Sequence, residues 1–89
     1  MKRITVITTK ITSKNPDVDF EALKQKEMPF IKKWSEDGVL ENFYIKTDTN
    51  GAVLVFKGLE MEQVVKNMEN LPFFPYLEKV EYLEINKIF

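Results

Sequence analysis

Apolar positions along the chain switch between two spacings. Residues 2–9, Lys-Arg-Ile-Thr-Val-Ile-Thr-Thr, are rich in β-branched residues and partly alternate, which predicts a first strand. Ser13-Lys14-Asn15-Pro16-Asp17 reads as a loop, with Asp17 or Asp19 able to cap a helix beyond it. From about Val18 to Asp37 the period becomes helical. Phe20, Leu23, Phe30, Ile31 and Trp34 share one face, and Gly38 suits the residue just past the end. Pro29 sits inside this pattern and predicts a kink near residues 25–29, because it removes a donor and crowds the preceding turn.

Val39 to Thr47 reads as a second strand, and Asp48-Thr49-Asn50-Gly51 as a hairpin turn. Ala52 to Phe56 is an unbroken apolar run, the pattern of a strand covered on both faces. A second helix, about Glu60 to Asn70, presents Met61, Val64, Val65, Met68 and then Leu71. Pro72 and Pro75 stiffen an aromatic loop, Leu71-Pro72-Phe73-Phe74-Pro75-Tyr76. A last strand runs from about Leu77 to Ile85, with Val80, Tyr82 and Ile85 as apolar positions.

The order is therefore β-α-β-β-α-β. It predicts an α+β chain of the ferredoxin-like class, a four-stranded antiparallel sheet with two helices on one face, as a single domain over residues 1–89. Two helices cover one face of such a sheet. The third strand is apolar on both faces, and Phe43, Tyr44 and Ile45 succeed one another in the second. The other face then needs a cover, and a second copy packed by two-fold symmetry is the simplest. A homodimer is expected.

One residue does not fit its pattern. At about 100° per residue, Glu27 falls inside the apolar arc of the first helix, between Leu23 and Ile31. A carboxylate aimed at the sheet is costly to keep ionised unless it is paired or meets a wet cavity. Desolvation would raise its pKa into the range useful to a general acid or base. It could equally pair across an interface, or be turned outward at Pro29. Asn42, Tyr44 and Lys46 share one face of the second strand, since strand side chains alternate. Tyr44 and Asn42 are the expected hydrogen-bonding partners of the chemistry at Glu27.

Composition narrows that chemistry. Cysteine and histidine are both absent, so Cys/His zinc sites, thiolate catalysis, Ser-His or Cys-His pairs and His- or Cys-held haem are excluded. Asp, Glu, Lys and Tyr remain for acid–base work, and no cofactor is expected. The absence of cysteine fits a reducing compartment, and a cytoplasmic location is expected. Thirteen basic and fourteen acidic residues are dispersed, giving a net charge of −1 and no basic stripe for nucleic acid. No apolar run is long enough to span a bilayer, and residues 1–6 alternate like a strand rather than a signal peptide.

The run Leu71-Pro72-Phe73-Phe74-Pro75-Tyr76 resembles the Leu-Pro-Leu-Phe-Pro-Tyr run of the muconolactone isomerase family. The resemblance extends back without an obvious gap through Gly38 and Glu27 to Leu23-Lys24. It implies a dimeric α/β barrel, two ferredoxin-like protomers packed sheet to sheet, and it places Glu27 at a family acidic position suited to carrying a proton. The family's second strand bears Arg and His that suit an anionic lactone. Here the matching positions are Glu41 and Asn42, while Tyr44 keeps an aromatic ring. The lack of histidine points away from the superfamily's haem-degrading relatives.

Three readings result. In the first, Glu27 moves a proton on a small lactone or enolisable carbonyl compound without a cofactor, and Tyr44 or Asn42 donates to the developing enolate oxygen. In the second, the domain is a non-catalytic ligand-binding or assembly module. In the third, it is a cofactor-free monooxygenase. A cavity reaching Glu27 separates the first from the second.

Overall fold

The computed structural model describes residues 1–10, 19–48 and 50–89, the side chains of Lys10 and Phe20 excepted. In order come β1 (Lys2–Lys10), α1 (Phe20–Glu36), β2 (Leu40–Ile45), β3 (Ala52–Phe56), α2 (Met61–Glu69) and β4 (Leu77–Asn86). A single 3₁₀ turn, Phe74–Tyr76, precedes β4. The predicted loop over residues 13–17, and Asp17 as a cap, lie outside the described residues. Asp19 caps α1, its Oδ1 accepting from the backbone N–H of Ala22 at 3.1 Å. Pro29 lies within α1, which continues across it as one helix.

The strands pair antiparallel in the order β2-β3-β1-β4. That is the ferredoxin-like βαββαβ arrangement. The register assigns the faces. Ile4 pairs with Phe56, Val6 with Leu54 and Phe43 with Leu54. These side chains share the helix side, where Ile4, Val6, Leu54, Phe56, Val64 and Met68 are the most deeply buried. Ile31 and Trp34 of α1 join the same core, and the Trp34 and Phe56 rings meet edge to face at 5.5 Å. Burying each such side chain contributes about 1.5–3 kcal/mol.

Phe30 departs from the expected helix face. It is 37% exposed, at the rim beside Trp34, so the inward stripe is Leu23, Glu27, Ile31 and Trp34. At about 100° per residue Phe30 falls at the edge of the apolar arc, roughly 20° outside Leu23 and roughly 60° from Glu27, where it meets solvent.

The opposite sheet face carries Ile7, Val53 and Val55, with Tyr44, Leu83 and Ile85 more exposed. No described element covers it. At one end of this face Arg3 makes a two-pronged ion pair with Glu41, Nε to Oε1 and Nη2 to Oε2 both at 3.0 Å. The carboxylate holds the guanidinium charged, and the guanidinium draws the Glu41 carboxyl below its usual range. Glu41 is the extra residue of a bulge in β2, where the pairing steps from Leu40–Phe56 to Asn42–Val55.

The β2–β3 hairpin is seated on β1 by two residues. Thr8 accepts from the backbone N–H of Ala52 at 3.0 Å and donates to its carbonyl at 3.4 Å. Gly51, at φ +151°, comes so close to the Thr8 carbonyl that a side chain there would overlap it.

Candidate active site

The inward stripe of α1 does not reach the sheet everywhere. Toward the hairpin end a cavity of about 600 Å³ opens between α1, the sheet and the 71–77 segment. Ile31, Phe43, Leu54, Met68, Leu71 and Phe73 make its apolar wall. Among the described lining residues the polar side chains are Thr8, Glu21, Lys24 and Glu27. Among the described residues, a hollow of about 730 Å³ on the outer side of α1 is lined by Gln25, Met28, Pro29, Ile31, Lys32, Ser35 and Glu36 of that one helix. It is a surface groove and holds no converging chemistry.

Glu27 is set into the cavity by its place in the stripe, one turn from Leu23 and one from Ile31. Burial against apolar groups raises its carboxyl to about 7 from an ordinary 4.5, and a hydrogen bond from the backbone N–H of Phe73 partly opposes that rise. No cation among the described residues pairs with it. The group is therefore divided between acid and carboxylate near neutral pH, the state a proton carrier needs.

The proline-bracketed loop is part of this site. Leu71 is buried, Phe73 and Leu77 line the cavity, and the Phe73 amide is aimed at Glu27. The loop closes one wall of the cavity within the same chain.

Asn42 and Tyr44 are not brought to Glu27. Their register partners are Val55 and Val53, on the face away from the helices. Lys46 lies there too, its Nζ 3.2 Å from Thr9 Oγ1. Period-two alternation that groups these three residues also excludes them from the helix side, and the sequence could not say which face β2 would turn inward. The β2 residues that do reach the cavity are Phe43 and Ile45.

Two further lining residues did not stand out in the sequence. Thr8 sits on the inner face of β1, a position that strand alternation with Ile4 and Val6 could have exposed. Lys24 lies three residues before Glu27, the spacing of side-chain neighbours on a helix surface. In sequence it looks like one more solvated lysine.

No family model matches the chain, and no curated protein matches it in sequence. Among solved structures it is similar to a 5-chloro-2-hydroxyhydroquinone dehydrochlorinase from Burkholderia phenoliruptrix, in complex with 2,5-dihydroxybenzoquinone. The two superpose with a TM-score of 0.69 over 93% of each chain, at 13% sequence identity. At that identity the likeness is one of fold alone.

Proposed function

We propose that this protein is a small, cofactor-independent isomerase-like enzyme that moves a proton on a lactone or other enolisable carbonyl compound, with Glu27 as the proton carrier. The observation that carries this reading is a carboxyl set inside an apolar cavity of about 600 Å³ with no cation paired to it among the described residues, where burial raises it to about 7. Such a volume suits a one-ring compound. Glu27 as carboxylate takes a proton from the carbon next to the carbonyl, the electrons move to the carbonyl oxygen, and the resulting acid returns the proton at a different carbon. Atoms and charge balance without a second reactant. The resemblance of the 71–76 run to the muconolactone isomerases agrees with this chemistry. So does the neighbour of like fold that holds a dihydroxybenzoquinone, a small ring carbonyl compound.

The test is proton exchange. The protein would be incubated in deuterium oxide with α-angelica lactone, and deuterium entry and double-bond migration tracked by proton NMR. Wild type should accelerate both, and Glu27→Gln should lose about a hundredfold or more. Equal rates for the two proteins would end the isomerase reading.

The same reading makes the protein a homodimer. Tyr44, Leu83 and Ile85 are 55, 48 and 45% exposed on the uncovered sheet face, around the half-buried Ile7, Val53 and Val55. A second copy would bury them. Asn42 and Tyr44 then serve the interface rather than the chemistry.

A further inference from the structure

Proton transfer next to a carbonyl places negative charge on the carbonyl oxygen, and a site that accelerates it needs a donor aimed there. The cavity's donors can be taken in turn. The Thr8 hydroxyl is buried and already engaged with both the N–H and the carbonyl of Ala52. The Phe73 amide is directed at Glu27 itself. Glu21 and ionised Glu27 only accept. Asn42 and Tyr44 are across the sheet. Among the described side chains lining the cavity this leaves Lys24, whose ammonium has no described carboxylate within 4.0 Å, whereas Lys2, Arg3, Lys79 and Lys87 all have one.

Its position is also right for the task. Lys24 and Glu27 project from the same helix about 4.5 Å apart along its axis. A carbonyl oxygen held by one therefore sets a carbon a bond or two away before the other. The long lysine stem lets the charge stay at the wet rim until a ligand arrives and then fold inward over it.

We infer that Lys24 is the second catalytic residue of this cavity, the cation that receives the enolate oxygen while Glu27 carries the proton, and that the cavity accordingly prefers ring compounds bearing an ionised oxygen over neutral ones of the same shape. This rests on the proposal that the cavity is a ligand site.

The experiment uses Glu27→Gln, which imitates protonated Glu27 without its charge, so that an anionic probe meets the site as the enolate would. The probes are 4-nitrophenolate, at a pH that ionises it, and neutral nitrobenzene. Binding is read from the methyl resonances of Ile31, Leu54 and Leu71. In Glu27→Gln, 4-nitrophenolate should bind about tenfold more tightly than nitrobenzene. Adding Lys24→Met, which keeps the apolar stem, should abolish that preference and leave nitrobenzene binding unchanged. A preference that survives Lys24→Met, or no preference at all while nitrobenzene still binds, overturns the role of Lys24 and leaves the pocket reading standing. Failure of both probes to perturb the cavity methyls overturns the pocket reading and this inference together.

Discussion

The backbone N–H of Phe73 donates to the carboxylate of Glu27, joining the 71–76 loop to the middle of α1 across the cavity wall. The contact is directional. It favours the ionised form of Glu27, while the apolar surroundings favour the neutral form, and burial is the larger effect. The residue is thereby left near the midpoint of its titration around pH 7 rather than fixed in either state.

This balance has a consequence for stability. In the unfolded chain Glu27 ionises near its ordinary value of 4.5, and in the fold near 7. Below the lower value both forms are protonated and the fold keeps its full stability. As pH rises from 4.5 toward 7, the unfolded chain releases the proton first, so stability falls until Glu27 ionises in the fold. The loss is at most roughly 3 kcal/mol, and smaller to the extent that water still reaches the carboxyl. Glu27→Gln removes this loss. Urea unfolding across pH 4–8 should show the variant gaining on wild type as pH rises and levelling off above 7.

How much of this was legible beforehand depended on which pattern carried it. The 3.6-residue period of α1 put Glu27 on the inner face, because a helix has one side facing the sheet and Leu23, Ile31 and Trp34 declare it. A strand has two faces, and β2 carries Phe43, Tyr44 and Ile45 in succession, so period two alone could not choose between them. The choice is made by the pairing of Phe43 with Leu54 and by the bulge at Glu41, both long-range facts. For the same reason Tyr44 and Asn42 were grouped correctly but on the wrong side of the sheet for Glu27. Lys24 entered the sequence reading only as the far end of the family resemblance, since the cavity is what marks it as a site residue among the lysines of α1.

The hairpin provides a test of how the cavity floor is built. Gly51→Ala would drive a methyl group into the Thr8 carbonyl oxygen and impose an unfavourable φ. A cost of roughly 2–3 kcal/mol is expected in chemical denaturation, and the Ile45 and Leu54 methyl resonances should shift with it.

The uncovered sheet face makes a prediction about assembly. Leu83→Asp places a carboxylate on the β4 side of the proposed self-association surface, where it would be desolvated without a partner. Sedimentation should show a wild-type dimer at micromolar concentration, and a dimer constant weakened at least about a hundredfold in the variant. Its far-ultraviolet circular dichroism should be unchanged. A monomeric wild type would contradict the two-fold assembly.

Activity should track the same carboxyl. If ionised Glu27 takes the first proton, exchange into α-angelica lactone should rise with pH and level off above an inflection near 7, the value given by burial. Lys24→Met should lower the plateau without moving that inflection by more than a few tenths of a pH unit, since no ion pair joins Lys24 to Glu27.

The most direct measurement is the titration of the Glu27 side-chain carboxyl by carbon-detected NMR, assigned by its loss in Glu27→Gln, with the Phe73 amide observed in parallel. A midpoint near 7, shared by the carboxyl carbon and the Phe73 amide nitrogen, is expected. A midpoint at or below the ordinary 4.5 would mean a solvated or paired carboxylate, and would contradict the assignment of this cavity as a proton-transfer site.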